Sequence, residues 1–99
     1  MEKDIVHVDA SFEPLVPKFM ANRRVDMGVM RDALERGDLE HVRALAHKIK
    51  GAGGSYGFDT ISEMAGVIEQ AAKATDAATI RQELGRLGAY LESIEVVYD

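Results

Sequence analysis

Apolar residues recur at helical spacing through most of the chain, and the first such set ends at Gly37. Glycine commonly closes a helix, and Asp38 directly after it is a suitable N-cap for a second one. Ser11 is the candidate cap at the start of the first helix, with Pro14 near its first turn. The apolar positions of this helix are Phe12, Val16, Phe19, Met20, Met27, Met30 and Leu34.

The second helix is predicted from about residue 38 to residue 55, after which Gly57 interrupts the chain. Gly53 is in phase with the apolar face of this helix, which indicates close packing against a neighbouring helix. The apolar face comprises Leu39, Val42, Leu45, Ala46, Ile49 and Tyr56.

Two further amphipathic helices follow along the chain. Thr60 and Glu63 fit a capping box at the start of the third helix, and Asp59 is a competing cap. Thr75 and Asp76 mark the start of the fourth helix, whose apolar pattern continues to Tyr98. The apolar positions are Ile61, Met64, Ala65, Ile68 and Ala72 in the third helix and Ile80, Leu84, Leu87, Leu91, Ile94 and Tyr98 in the fourth.

Residues 5–8 form a strand-like stretch, Ile-Val-His-Val, for which the sequence offers no partner strand. We therefore interpret residues 1–9 as an extended N-terminal arm and residues 10–99 as one helical domain. Each of the four helices has a single apolar stripe, and the connections between them are short. The predicted fold is therefore all-α, an antiparallel four-helix bundle with an extended N-terminal arm.

Composition narrows the functional classes. The chain has 99 residues, no cysteine and a net charge of −5, so we expect no disulfide framework, no thiolate metal site and no general nucleic-acid binding. No apolar run approaches the roughly 20 residues that span a bilayer, and residues 1–4 do not resemble the start of a signal peptide. We expect a monomer in the cytoplasm that binds neither nucleic acid nor membrane.

Charge is unevenly distributed along this acidic chain. Residues 41–58 include Arg43, Lys48 and Lys50 but no acidic residue. A local basic window of this kind can attract a small anion without attracting polyanions in general. A solvated helix face is the alternative explanation for the three cations.

His47 lies in this basic window on the polar side of the second helix, about 140° from Val42 at 100° per residue. Gly51 and Gly54 point to the same side, although a glycine inside a helix costs about 1 kcal/mol relative to alanine. Because helical side chains lean toward the N-terminus, side chains at these two positions would cover His47. The imidazole, a competent nucleophile near neutral pH, is therefore predicted to be open to a large partner. An ordinary surface histidine is the alternative.

The other two histidines provide a comparison. His7 has no partner at a useful spacing, and His41 lies six residues before His47, which does not suit a shared metal ion. The sequence has no phosphate-binding glycine loop and no evident carboxylate cluster for Mg²⁺. We predict no metal, no cofactor and no autonomous enzyme activity.

Residues 46–51, Ala-His-Lys-Ile-Lys-Gly, together with Gly54, Gly57 and Phe58, resemble the motif of histidine-containing phosphotransfer (HPt) domains. The four-helix pattern extends this resemblance over nearly the whole chain, apart from residues 1–9.

The resemblance implies that His47 accepts a phosphoryl group, that Lys50 screens this group and that Gly51 clears the approach to it. Arg43, Lys48 and Gly54 are the further candidate binding residues. The implied partners are a response-regulator receiver domain, a histidine kinase, or both. The chain would be a phosphocarrier, and the metal ion and most of the electrostatic catalysis would come from the partner.

A further position of the family lies on the third helix, 22 residues after the histidine. Glutamine is frequent there, and glutamate occurs in the kinase-embedded, chemotaxis-type members; this chain has Glu69, followed by Gln70. A carboxylate that accepts a hydrogen bond from Nδ1–H would fix the tautomer and leave Nε2 as the nucleophile. A solvated surface acid is the alternative explanation for Glu69.

Two functions stay open from the sequence alone. The first is a histidine phosphotransfer protein of a two-component phosphorelay, which carries a phosphoryl group on His47 to or from receiver aspartates. The second is a non-catalytic helical interaction module in which His47 is incidental. We expect a free-standing module rather than a piece of a larger kinase.

Overall fold

Four α-helices, a short 3₁₀ helix and two strands make up residues 3–99, the part of the chain that the computed structural model describes. The elements are β1 (Asp4–Val8), the 3₁₀ helix (Ala10–Leu15), α1 (Val16–Glu35), α2 (Leu39–Ser55), α3 (Asp59–Lys73), α4 (Ala77–Ser93) and β2 (Ile94–Tyr98). Each helix packs against the next one, and α1 also packs against α4. The prediction of an all-α four-helix bundle is confirmed.

The core lies between the four helices and is formed by the predicted apolar stripes. Val42, Ile49, Ile61, Ile68 and Leu87 are among its fully buried side chains. Each helix therefore has one buried face, and the opposite face is left for polar chemistry.

Helices α1, α2 and α3 end with the same backbone turn. The residues with a left-handed backbone are Gly37 (φ 71°), Gly57 (φ 83°) and Thr75 (φ 58°). The next residue in each case, Asp38, Phe58 or Asp76, donates its N–H to the carbonyl five residues earlier at 2.8 Å. This hydrogen bond defines a Schellman motif, and the donor residue also becomes the N-cap of the following helix.

The predicted N-cap at Asp38 is confirmed, and Asp76, one of the two residues predicted to start the fourth helix, is its N-cap. The Asp38 side chain accepts from the His41 N–H, and the Asp76 side chain accepts from the Thr79 N–H. Both carboxylates therefore satisfy backbone donors that the first turn of a helix leaves unpaired.

The predicted start of the third helix is wrong. The N-cap of α3 is Phe58, which makes no side-chain capping bond, so neither the Thr60–Glu63 box nor Asp59 caps the helix. The reason is the turn at Gly57, which places Phe58 at the capping position and buries its ring against Phe19 at a centroid distance of 4.8 Å. Packing of an aromatic side chain thus overrides the local capping signal.

The cap predicted for the first helix is also wrong. Asp9, not Ser11, caps the 3₁₀ helix, and its side chain accepts from the backbone N–H of Ser11 at 2.8 Å. Pro14 lies inside this 3₁₀ helix, and α1 itself begins only at Val16.

The prediction that residues 5–8 lack a partner strand is wrong. They belong to β1, which pairs in parallel with β2 in the register Val6 opposite Val96. The fourth helix ends at Ser93 rather than continuing to Tyr98, because residues 94–98, with β-branched Ile94, Val96 and Val97, are extended and pair with β1. Val8, only 2% exposed, joins the core. Met1 and Glu2 lie outside the described residues. They belong to the predicted N-terminal arm and to residues 1–4, which were compared with the start of a signal peptide.

None of the helices within residues 3–99 is long and apolar enough to cross a membrane.

Candidate functional site

His47 lies near the middle of α2, on the face opposite the core. Its neighbours Ala46 and Ile49 are buried, whereas its own side chain is 71% exposed. The imidazole is therefore held by a rigid helix and is accessible from solvent, as the helical wheel predicts.

The Nδ1 atom of His47 is 2.8 Å from Oε2 of Glu69, which comes from the adjacent helix α3. The Glu69 side chain is only 5% exposed, so it is not the solvated surface acid of the alternative explanation. An ionised carboxylate can only accept hydrogen bonds, so the proton of this pair lies on Nδ1. In the neutral ring, Nε2 then carries the free lone pair of the nucleophile.

Glu69 remains a carboxylate although it is buried. Burial by itself raises the pKa of Glu69, but the hydrogen bond from His47 and the charges of His47, Lys73 and Lys50 outweigh this effect. The pKa of Glu69 therefore lies below its ordinary value of 4.5. The group that fixes the His47 tautomer is thus ionised at neutral pH.

Lys50 follows His47 by three residues and shares its face of α2. Its Nζ atom is 3.9 Å from Oε1 of Glu69, and its side chain is half-exposed. A Cβ atom added at Gly66 of α3 would lie 3.8 Å from Cδ and Cε of Lys50, so the lysine stem runs over this glycine. The ammonium group is in this way held beside the histidine–carboxylate pair.

The glycines of α2 differ in their surroundings. A Cβ atom at Gly51 would meet nothing within 4 Å, and one at Gly54 would make an ordinary contact of 3.8 Å with Oγ of Ser62. A Cβ atom at Gly53 would lie 3.1 Å from backbone atoms of Phe58 and Ser62. Gly53 is therefore the packing glycine that the sequence predicts, and Gly51 and Gly54 lie on the exposed side.

The remaining candidate cations are arranged differently from Lys50. Arg43 donates through Nε to Glu40 at 3.0 Å, so an acid just outside the acid-free window partly neutralises it. Lys48 is exposed, and it takes part in none of the ion pairs found in residues 3–99.

Two residues that the sequence analysis did not single out belong to the site. Ser62 donates through Oγ to the carbonyl of Lys50 at 2.8 Å, which ties α3 to α2. Lys73 places Nζ 3.9 Å from Oε2 of Glu69. Its spacing of four residues from Glu69 on one helix was the available signal.

Residues 3–99 contain no group of three histidine or acidic side chains that could hold a metal ion. His7 lies away from α2 and faces Asp99, with Nδ1 3.1 Å from Oδ2. The site around His47 brings together one exposed imidazole, one buried carboxylate and the cations around them.

The sequence of the chain matches a known protein family. A family model described as Hpt domain matches residues 15–95, which include all four helices and both His47 and Glu69. Neither the curated proteins nor the solved structures compared with the chain gave a significant match. Since the family model covers most of the sequence, the chain belongs to the Hpt domain family, whose members are phosphotransfer modules of two-component signalling.

Proposed function

We propose that this protein carries a phosphoryl group on Nε2 of His47, to or from the aspartates of receiver domains in a phosphorelay. The observation that carries the proposal is the 2.8 Å contact between Nδ1 of His47 and buried Glu69. This contact orients an exposed ring so that its lone pair is on the nitrogen that a partner can reach.

Transfer to His47 forms one bond to phosphorus and breaks another. The Nε2 lone pair attacks the phosphorus of a receiver phosphoaspartate, the P–O bond breaks, and its electron pair leaves on the aspartate carboxylate. The Nδ1 proton stays on the ring, so the phosphorylated imidazole is positively charged and faces the Glu69 carboxylate. In the reverse direction a carboxylate oxygen of a receiver aspartate attacks the phosphorus and forms the P–O bond, the N–P bond breaks, and its electron pair returns to Nε2.

Lys50 has the role of a counter-charge in this proposal. Its ammonium group is beside the ring and can move toward the phosphoryl oxygens, because its side chain is half-exposed. Arg43 and Lys48 add positive charge on the same helix and would contact the docked partner. Gly51 and Gly54 leave room for that partner above the ring.

The proposed partners are a receiver domain, a histidine kinase, or both. We further propose that the carrier is a cytoplasmic monomer without kinase activity of its own, and that the receiver brings the metal ion used in transfer. A non-catalytic interaction module would use the same surface without chemistry at His47.

Incubation with a phosphorylated receiver domain tests the proposal. Wild-type protein should acquire a label that is labile in acid and stable in base, and His47→Gln should acquire none while it keeps its helical circular dichroism spectrum. His7→Gln and His41→Gln are matched controls that should label normally. Equal labelling of wild type and His47→Gln would reject the assignment, and binding of the receiver without any label would favour the interaction module.

A further inference from the structure

Lys73 is a cation of the site that the proposed transfer step does not use. It lies in the last turn of α3, four residues after Glu69, and its side chain is half-exposed. Its Nζ atom is 3.9 Å from Oε2 of Glu69, the same oxygen that lies 2.8 Å from Nδ1 of His47. Lys50 approaches the other oxygen, Oε1. The ring and the two lysines thus surround one buried carboxylate.

We propose that Lys73 is a positioning residue that keeps the His47–Glu69 pair at a single proton, held on Nδ1, so that Nε2 stays available for phosphoryl transfer. This inference rests on the proposed function of His47 and adds the residue that controls its protonation.

Within residues 3–99, the cations that interact with Glu69 come from two helices. Arg43 and Lys50 lie on α2, and Lys73 lies on α3. Arg43 is bound to Glu40, and Lys50 is placed to follow the phosphoryl group. Lys73 lies near Oε2 of Glu69, the oxygen that accepts the hydrogen bond from the His47 ring. Its charge therefore acts on the pair before, during and after phosphoryl transfer.

A fixed positive charge near the pair disfavours a second proton on either member. The second proton could bind Nε2, which would remove the nucleophilic lone pair, or Glu69, which would remove the acceptor for Nδ1–H. Removal of Lys73 should therefore let the pair take up its second proton at a higher pH. Because the two groups are coupled, the effect belongs to the pair rather than to one residue.

The first test uses the unphosphorylated protein and needs no partner. Carboxyl and imidazole resonances of Glu69 and His47 are followed by NMR against pH in wild type, Lys73→Met and Lys73→Arg. Arg81→Met removes one exposed cation from α4 and is the charge-matched control. In Lys73→Met the acid step of the pair should move to higher pH, whereas Lys73→Arg and Arg81→Met should keep the wild-type step. An unmoved step in Lys73→Met would overturn the inference.

The second test measures phosphoryl transfer from one receiver domain against pH. In Lys73→Met the rate should fall only on the acid limb, by about two- to fivefold, the factor that a half-exposed ion pair supports. The rate on the alkaline plateau should equal that of wild type, and Lys73→Arg should restore the acid limb. A uniform loss at every pH would overturn the inference, because it would mean that Lys73 contacts the phosphoryl group or the partner. If His47 is not the acceptor, wild type fails to label as well, and the NMR result still decides the part played by Lys73.

Discussion

Gly51 and Gly53 are two residues apart on α2, yet they face different environments. A Cβ atom at Gly51 would have nothing within 4 Å, whereas one at Gly53 would lie 3.1 Å from the carbonyl oxygen of Phe58 and the backbone nitrogen of Ser62. The first glycine therefore lowers the stability of the helix without any gain in packing inside the domain. The second permits the close approach of α2 to the turn that leads into α3.

Substitutions at Gly51 should separate stability from function. Gly51→Ala should hold or raise the melting temperature, because alanine gains up to about 1 kcal/mol of helix propensity at an open position. Gly51→Leu should still melt cooperatively. It should accept phosphoryl groups at least tenfold more slowly, which corresponds to about 1.4 kcal/mol of activation free energy, because its side chain would lean over His47. Thermal melts followed by circular dichroism, together with transfer kinetics, measure both effects.

Two outcomes would contradict the part given to Gly51. Loss of the folded state in Gly51→Leu would mean that the position is packed rather than open. Normal transfer by folded Gly51→Leu would mean that the partner reaches His47 from another direction.

Gly53→Ala should be destabilising. The contacts of its new Cβ atom are backbone atoms, so α2 and the start of α3 must separate by a few tenths of an ångström. Overpacking of this kind costs about 1–3 kcal/mol, and the gain in helix propensity offsets roughly 1 kcal/mol of that cost. We expect the free energy of unfolding in urea to fall, by up to about 2 kcal/mol. An unchanged or higher value would show that the interhelical contact can relax at no cost.

Glu69→Gln should change how stability depends on pH. The pKa of Glu69 is lowered in the folded state, so its ionised form stabilises the fold above the ordinary value of 4.5, and this contribution is lost as pH falls through the lower folded value. At neutral pH the variant should be less stable by up to about 1 kcal/mol, a small value because its partners are partly exposed. Denaturant melts of both proteins should converge as the pH falls below 4.5. A constant difference at all pH values would mean that Glu69 acts by shape alone.

Lys50→Ala should slow phosphoryl acceptance without abolishing it. Its ammonium group is 3.9 Å from Oε1 of Glu69. In the proposed transfer, however, the partner would supply most of the charge stabilisation. We expect the rate of phosphoryl transfer from a phosphorylated receiver to fall about ten- to a hundredfold, which corresponds to roughly 1.4–2.7 kcal/mol of activation free energy. Time-course assays of label on the protein measure this rate. Unchanged transfer kinetics would mean that Lys50 only contributes to solubility. Complete loss of phosphoryl transfer would mean that Lys50 is essential for the transfer step.

The helices and the exposed face of α2 could be predicted because they depend on local periodicity. His47, Gly51 and Gly53 were placed correctly by the angle of each residue around one helix. Glu69 was proposed from the family resemblance, since its contact with His47 joins two helices, and no pattern within one helix reports such a distance.

The errors at the cap of α3, at the end of α4 and in the pairing of β1 have a common physical origin in tertiary contacts, whereas the cap of the 3₁₀ helix depends on a local contact between Asp9 and Ser11. The cap of α3 was misplaced because the left-handed turn at Gly57 and the burial of Phe58 decide where the helix begins. The end of the fourth helix was misplaced because Ile94 suits both a helical stripe and a strand. The pairing of residues 94–98 with residues 4–8 depends on proximity of the two ends of the described chain, which periodicity does not contain.

Pairing of β1 with β2 predicts that a side chain of β1 stabilises the fold, which an unpaired N-terminal arm would not do. Val8 is 2% exposed and packs with the helical core, whereas Ile5 on the same strand is 60% exposed. Val8→Ala should therefore lower the free energy of unfolding by about 1–2 kcal/mol through lost burial and a residual cavity, and Ile5→Ala should change it little. For a domain of this size, 1 kcal/mol corresponds to about 4–8 °C in melting temperature. Phosphoryl acceptance should be normal in both variants, because neither side chain belongs to the site around His47. If both variants melt like wild type, β1 contributes nothing to the folded domain in solution, and residues 4–8 behave as the extended arm that the sequence alone indicates.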